Sequence, residues 1–391
     1  MAARMTFFPV GCGDMTLVQT DANEYILIDC HIRASADDPD NDDVPDVAQQ
    51  LRDRLPRDDN DRPYVDAMML SHPDRDHCCG LSAHFHLGPI ADYPANSDKI
   101  VIREMWSSPI VFRRASVNHI LCDDAKAWAK EARRRVARYR ALGYCPDQER
   151  ILIMGEDVDG KTDDLGAILV KADENWTAVN GTDNGAFSAR LLAPMKASDD
   201  DEEEVLTKNN SSIVSRMKFA SGSTSDACRF LSGGDAEVAI WEKLWARNGE
   251  NADECFAYDL MLAPHHCSWH SLSWDSWSQY GEEAEVSPDA RDALGQARDG
   301  AVIVASSKTI ADDDKDPPCI RAKREYEDIL DGVSDGDFLC VADQNGEPLE
   351  YDIKPGGLTR VTKSAKAPVA ATAASVISSA AVIGRQPLPH G

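Results

Sequence analysis

Ser71-His72-Pro73-Asp74-Arg75-Asp76-His77 decides how this chain is read: the six residues from His72 carry four candidate metal ligands, and they follow the apolar run Ala67-Met68-Met69-Leu70. Such a run ahead of a turn reads as a buried strand. A chain that leaves a strand by a tight turn can aim His72, Asp74, Asp76 and His77 at one point. Imidazoles and carboxylates are the donors that zinc, manganese and magnesium take. The ordinary alternative is a solvated turn rich in Asp.

Three later stretches extend the pattern. They are Asn209-Asn210-Ser211-Ser212-Ile213-Val214, Phe230-Leu231-Ser232-Gly233-Gly234-Asp235 and Leu262-Ala263-Pro264-His265-His266-Cys267-Ser268. Near the start, Gly11-Cys12-Gly13-Asp14 and Ile28-Asp29-Cys30 precede them. In this order the stretches resemble the metallo-β-lactamase fold, in the variant where Asp74 stands where a His is usual. The nearest subgroup resembles the hydrolase domain of the ComEC-type competence proteins and their soluble relatives, and the motifs span about residues 5 to 310.

The resemblance implies an α/β chain, a four-layer αββα sandwich with insertions. Its hydrolase domain would cover residues 1–355, with an insertion at about 107–180, followed by a disordered tail at 356–391. It also implies two divalent ions. His72 and Asp74, with a group near Asn210, would hold one; Asp76, His77 and His265 would hold the other, and Asp235 would bridge. The family's extra His ahead of the bridging Asp is missing, because Asn209-Asn210-Ser211 occupies that region. Oxygen donors favour harder ions, so manganese comes first, then zinc, with magnesium a third option. Asp76 is the candidate for orienting the attacking water. His266, Lys308, Ser212 and Ser268 are candidates for contacting a phosphate or protonating a leaving group. Asp14 and Asp29 are candidates for orienting the ligands, against plain turn and strand-end capping. Where the family's signature closes with two glycines, Cys79 fills the first position and Gly80 keeps the second.

The 391 residues, 42% hydrophobic, suffice for a sizeable core. No run approaches the roughly 18 to 20 apolar residues of a membrane helix, and the N-terminus shows no signal-peptide core. Eleven cysteines without a CxxC pair read as a reducing compartment, so the cytoplasm is expected. Cys30, Cys79 and Cys267 sit beside motifs, but buried filler is their ordinary role. The net charge of −27 disfavours a processive binder of long nucleic acid.

Three short β-rich runs, Met5 to Val10, Met15 to Thr20 and Tyr25 to Asp29, predict an antiparallel meander. Apolar spacing predicts helices at Val44 to Leu55, Asp123 to Leu142, Ala236 to Arg247 and Ile320 to Leu330. The second of these gathers Lys126, Lys130, Arg133, Arg134, Arg135, Arg138 and Arg140 on its outer side, either a solvated face partly neutralised by neighbouring acids or a patch for phosphates or an acidic partner. His84 and His86, two apart on an expected helix, face different ways and make poor joint ligands. Trp269 to Trp277 either walls the site or packs into the core. Phe338 to Ala342 and Leu349 to Ile353 suggest a closing hairpin. From Gly356 the chain turns to Ala, Ser, Thr, Val and Pro, with four basic residues and no acid.

The expected function is therefore a metal-dependent hydrolase, first of all a phosphodiesterase or nuclease acting on a small-molecule, nucleotide or nucleic-acid phosphodiester. Hydrolysis of another ester, a lactone or a thioester is the alternative, and a degenerate binding or regulatory module a third. No membrane partner is expected, and a protein partner is left open.

Overall fold

The computed structural model describes residues 3–38, 41, 43–112, 121–157, 160–196 and 211–362. The acidic run 199–204, the expected ligand near Asn210 and the tail beyond Thr362 lie outside them. The described residues up to Val361 form one compact unit. Among the described residues, no helix is long and apolar enough to cross a membrane.

The chain is α/β, with two mixed sheets. The N-terminal half supplies β1 (Ala3–Phe7), β2 (Thr16–Gln19), β3 (Tyr25–Ile28), β4 (Tyr64–Leu70), β5 (Phe85–His86), β6 (Ile100–Ser107), β7 (Arg150–Met154) and β8 (Leu169–Val170). Next come β9 (Asn175–Trp176), β10 (Phe187–Ala193), β11 (Val214–Ser221), β12 (Thr224–Ser232), β13 (Tyr258–Leu262), β14 (Ala297–Ala305) and β15 (Asp337–Cys340), which make the second sheet. Finally, β16 (Leu349–Lys354) and β17 (Gly357–Arg360) return to the first. Its order is β17-β16-β1-β2-β3-β4-β6-β7-β8, with β5 also on β6, and the second runs β15-β14-β13-β12-β11-β10-β9. Both sheets follow one plan. Antiparallel pairs, β1-β2-β3 and β10-β11-β12, give way to parallel strands, β3-β4-β6-β7 and β12-β13-β14-β15.

The strand periodicity of two sorts side chains between cores. On β4, Ala67 and Met69 enter a core shared with Met217, Phe219, Phe230, Leu260 and Val304 of the second sheet. Met68 and Leu70 point the other way, toward Val47 and Leu51 of the helix Val47–Arg52 and Trp128 and Val136 of the helix Asp123–Leu142. On the second sheet, Met261 and Ile303 meet Trp241, Leu294 and Tyr326 from the helices Val238–Asn248, Pro288–Leu294 and Ile320–Leu330. Strand runs that are apolar on both faces follow from this double coverage.

Several expectations change. The helix expected from Val44 to Leu55 is shorter, because Asp46 caps it by accepting from Gln49 N–H at 2.8 Å. The expected closing hairpin is not one: β15 pairs with β14 and β16 with β1, so its two runs enter different sheets. Gly357–Arg360, read from composition as tail, is strand β17 beside β16. Within 107–180, the helix Asp123–Leu142 covers the first sheet, while β7 and β8 extend its edge. Arg135 of this helix does not face outward. It is 2% exposed, pairs with Glu131 at 2.8 Å and donates to the Ile102 and Arg150 carbonyls, each at 2.9 Å. The other arginines are largely neutralised: Arg134 and Arg138 by Glu149, and Arg140 by Asp164.

Glu104 on β6 is buried beside the aromatic group Trp106, Trp176 and Phe187. It accepts from Trp106 Nε1–H at 3.0 Å and Asn180 N–H at 2.8 Å. Burial pushes its carboxyl up to about 7, against those two bonds. The folded chain then holds this proton more tightly than the unfolded chain, so stability falls as pH rises from about 4.5 to about 7. Glu104→Gln removes that loss. At pH 8 it should be more stable than the parent by on the order of 3 kcal/mol, read as a higher thermal midpoint, and the difference should vanish near pH 4.5. A constant offset at both pH values would mean that Glu104 does not titrate there.

Candidate metal centre

Parallel strands deliver their C-terminal ends to one edge, where α/β sheets place their sites. Asp29 follows β3, Ser71 to His77 follow β4, Asp235 follows β12, and His265 and His266 follow β13. Asp29 organises the first ligand turn. Its carboxylate accepts from Ser71 N–H at 2.7 Å and Ser71 Oγ–H at 2.6 Å, and meets His77 Nδ1 at 2.8 Å. With Nδ1 so engaged, His77 presents Nε2 to the cluster, the arrangement by which carboxylates orient metal-binding imidazoles.

Two glycines let other segments approach this turn. A Cβ on Gly13 would lie 1.9 Å from His31 Nδ1 and 2.7 Å from Asp76 O, so only glycine brings the β1–β2 turn this close. Asp14 N–H then donates to Asp76 O at 3.2 Å. Gly80 has φ 89°, and a Cβ there would meet Ile32 O at 2.6 Å, whereas Cys79 adopts an ordinary extended conformation with φ −60° and needs no glycine. The second ligand turn is strained. His265, His266 and Cys267 have φ of 51°, 55° and 70°, left-handed values that cost non-glycine residues about 1–3 kcal/mol each. His265 N–H donates to Gly234 O at 3.0 Å, and Cys267 O accepts from Cys319 N–H at 2.9 Å, pinning both ends.

Asp235, 3% exposed, sits at the centre. Its Oδ1 lies 3.0 Å from His77 Nε2 and 3.6 Å from His266 Nε2. Its Oδ2 lies 3.4 Å from His72 Nε2 and 3.7 Å from His265 Nε2. Asp74 is 3.9 Å from His72 Nε2, Asp76 is 3.4 Å from His266 Nε2, and Asp14 is 3.3 Å from His266 Nδ1. Despite this crowding, Asp14 Oδ1, His72 Nε2, His77 Nε2, Asp235 Oδ1 and both His266 nitrogens are buried without a hydrogen-bond partner among the described residues. Polar atoms buried so are costly. A cation among them would supply the missing partner, and Asp14, His77, Asp235 and His266 bring ligand atoms within 4.8 Å of one another. This group could hold a metal ion.

The electrostatics agree with that donor set. Burial disfavours charge on His77 and His266, yet Asp235, with Asp29 for the first and Asp14 for the second, pushes both well above the ordinary imidazole value. Burial likewise opposes ionised Asp235 and Asp76, but the imidazoles hold both carboxyls below their usual range. A field that draws protons onto imidazoles also draws a divalent cation, which would displace them.

Of the expected ligands, His72, His77, Asp235 and His265 converge, with Asp74 and Asp76 at the margin. His266, expected to face a phosphate, and Asp14, expected only to orient ligands, belong to the four-residue group instead. The glycine-flanked turn was the signal for Asp14. Lys308 is exposed and lines a separate hollow with Arg33. Ser212 Oγ accepts from Asp235 N–H at 3.2 Å, and Ser268 Oγ from His270 N–H at 3.1 Å, so both are engaged by backbone. Trp269 and Trp277 pack in the second sheet's helical core. His84 contacts Arg52 and Asp37, and His86 the Pro89 carbonyl. Cys30, Cys79 and Cys267 are free thiols, and Cys30 and Cys267 are buried.

Manganese or zinc should raise the thermal midpoint of the metal-stripped protein, because a ligand that binds the folded state stabilises it by mass action. Asp235→Ala should abolish the rise. Asp29→Asn should weaken metal affinity about 10–100-fold while leaving the site's own donors in place. Metal titration followed by thermal shift and by elemental analysis checks all three.

No protein-family model matches the chain, and a search of curated proteins returns no match to it.

Proposed function

We propose that the chain is a metal-dependent phosphodiesterase of the metallo-β-lactamase type, with its two sheets and flanking helices as the αββα sandwich. Two divalent cations would share Asp235. The observation that carries this reading is the division of the Asp235 carboxylate. Oδ1 faces His77 and His266, and Oδ2 faces His72 and His265. Asp14 and Asp76 would complete the first set, and Asp74 the second. Four carboxylates with four imidazoles suit manganese at least as well as zinc.

Two such cations, when bound, lower the pKa of water and clamp the oxygens of a phosphodiester. The chain's own residues do the rest. Asp76 has a part-exposed carboxylate at the mouth of the cluster, so its Oδ2 is the group that would accept a hydrogen bond from the attacking water and orient it. Asp29 and Ser71 fix the His77 ring, and Asp14 contacts His266, so neither imidazole need reorient during turnover. Retention of this whole donor set argues against a degenerate binding module.

Manganese-dependent hydrolysis of bis-p-nitrophenyl phosphate, run beside lactone and thioester substrates, tests the reading; turnover of a lactone or thioester alone would overturn it. Asp235→Ala should lower phosphodiesterase activity by more than about 100-fold, above the cost typical of losing a supporting residue. Asp74→His adds a nitrogen donor, so activity in manganese should fall and relative activity in zinc should rise. An unchanged metal preference would remove Asp74 from the ligand set.

A further inference from the structure

The overall charge of −27 opposes an anionic substrate, and the helix Asp123–Leu142 does little to relieve it, because acids within reach neutralise Arg134, Arg135, Arg138 and Arg140. Basic side chains gather elsewhere. Beside the cluster lies a hollow of about 490 Å³ lined by His31, Arg33, Arg75 and Asp76. It opens on the donor set itself, since Asp76 is also 3.4 Å from His266. Arg33 also lines a second hollow of about 670 Å³, with Gly11, Lys308 and Thr309 on its wall and one acid, Asp43. Both volumes suit a small ligand.

Arg33 is held but not satisfied. Its guanidinium lies over Gly11, where a Cβ would be 3.6 Å from an Arg33 Nη, and its Nε is buried without a hydrogen-bond partner among the described residues. His31, 8% exposed, likewise has Nδ1 unpartnered, packed against Gly13. Arg75 and Lys308 are exposed at the rims. Guanidiniums bind phosphate oxygens in pairs and an ammonium binds them as a point charge.

We infer that the two hollows hold a phosphate flanking the one that is cleaved, with Arg33 between Arg75 and Lys308, so that the substrate is a short phosphodiester bearing a second phosphate. The inference rests on the phosphodiester reading above. It reconciles an anionic substrate with an acidic protein: attraction is confined to a few angstroms beside the cluster, and a long polyanion meets repulsion beyond it.

The test uses the full-length protein in manganese and two dye-labelled thymidine dinucleotides with a methylphosphonate linkage that resists turnover, one with a 5′-phosphate and one with a 5′-hydroxyl. Fluorescence anisotropy should find the phosphorylated form about tenfold tighter, as expected for a charge-assisted contact. Lys308→Ala and Arg75→Ala, at exposed positions that spare the core, should each shrink that ratio, and Arg33→Ala should remove it; Lys130→Ala, on the neutralised helix, should not. Equal affinities, or a ratio that survives all three substitutions, would overturn the inference. Hydrolysis of bis-p-nitrophenyl phosphate is read separately. Its absence would sink the phosphodiesterase reading while the binding ratio still reports on the hollows.

Discussion

Everything at this edge of the molecule depends on compensating the buried charge of Asp235. A carboxylate removed from water needs opposite charge and hydrogen bonds at once. Here the backbone N–H of Asp235 donates to Ser212 Oγ, but the carboxylate has no hydrogen bond on Oδ1 among the described residues, with four imidazoles around it. Without a cation, protons on His77 and His266 must supply the charge. The surrounding structure holds this costly arrangement in place. Asp29 grips the first ligand turn, Gly13 admits the β1–β2 turn, and three left-handed residues turn His265 and His266 toward the same carboxylate.

Much of this was legible in the sequence, and the limits are physical. His72, Asp74, Asp76 and His77 lie within one turn, so local order was enough to group them. Asp14 joins from a turn more than fifty residues away, and only tertiary contact, through Gly13 against Asp76, places it. His265 and His266 are adjacent, and their roles depend on backbone angles that a residue pattern does not contain; both rings reach Asp235, one to each oxygen. The basic helix is a face neutralised by neighbouring acids, as one of its two readings had it, but its partners Glu149 and Asp164 are outside it and spacing along the helix does not name them, nor does it show Arg135 turned inward.

The fold shows the same division. Runs that are apolar on both faces announced strands covered on both sides, and the helices Asp123–Leu142 and Ile320–Leu330 fall where periodicity put them. Strand partnership was the harder matter. Cys340 and Leu349 are close in the chain yet belong to strands of different sheets, because a short connection fixes proximity and not pairing. Thus the run after Lys354 reads as tail by composition but extends the first sheet as β17.

The pairing of β1 with β16 has a consequence for how the chain is made. Met5 sits opposite Tyr351, so 346 further residues (351 less 5) must be synthesised before the second edge of the first strand is covered. At about 5–20 residues per second, that is on the order of half a minute. Through that interval β1 is an open edge of its meander, offering unpaired backbone groups to any neighbouring strand. Nascent chains therefore pass through a stage in which the antiparallel half of the first sheet is formed but unclosed. Ribosome-bound intermediates, rather than the finished protein, carry the greater risk of strand exchange and aggregation.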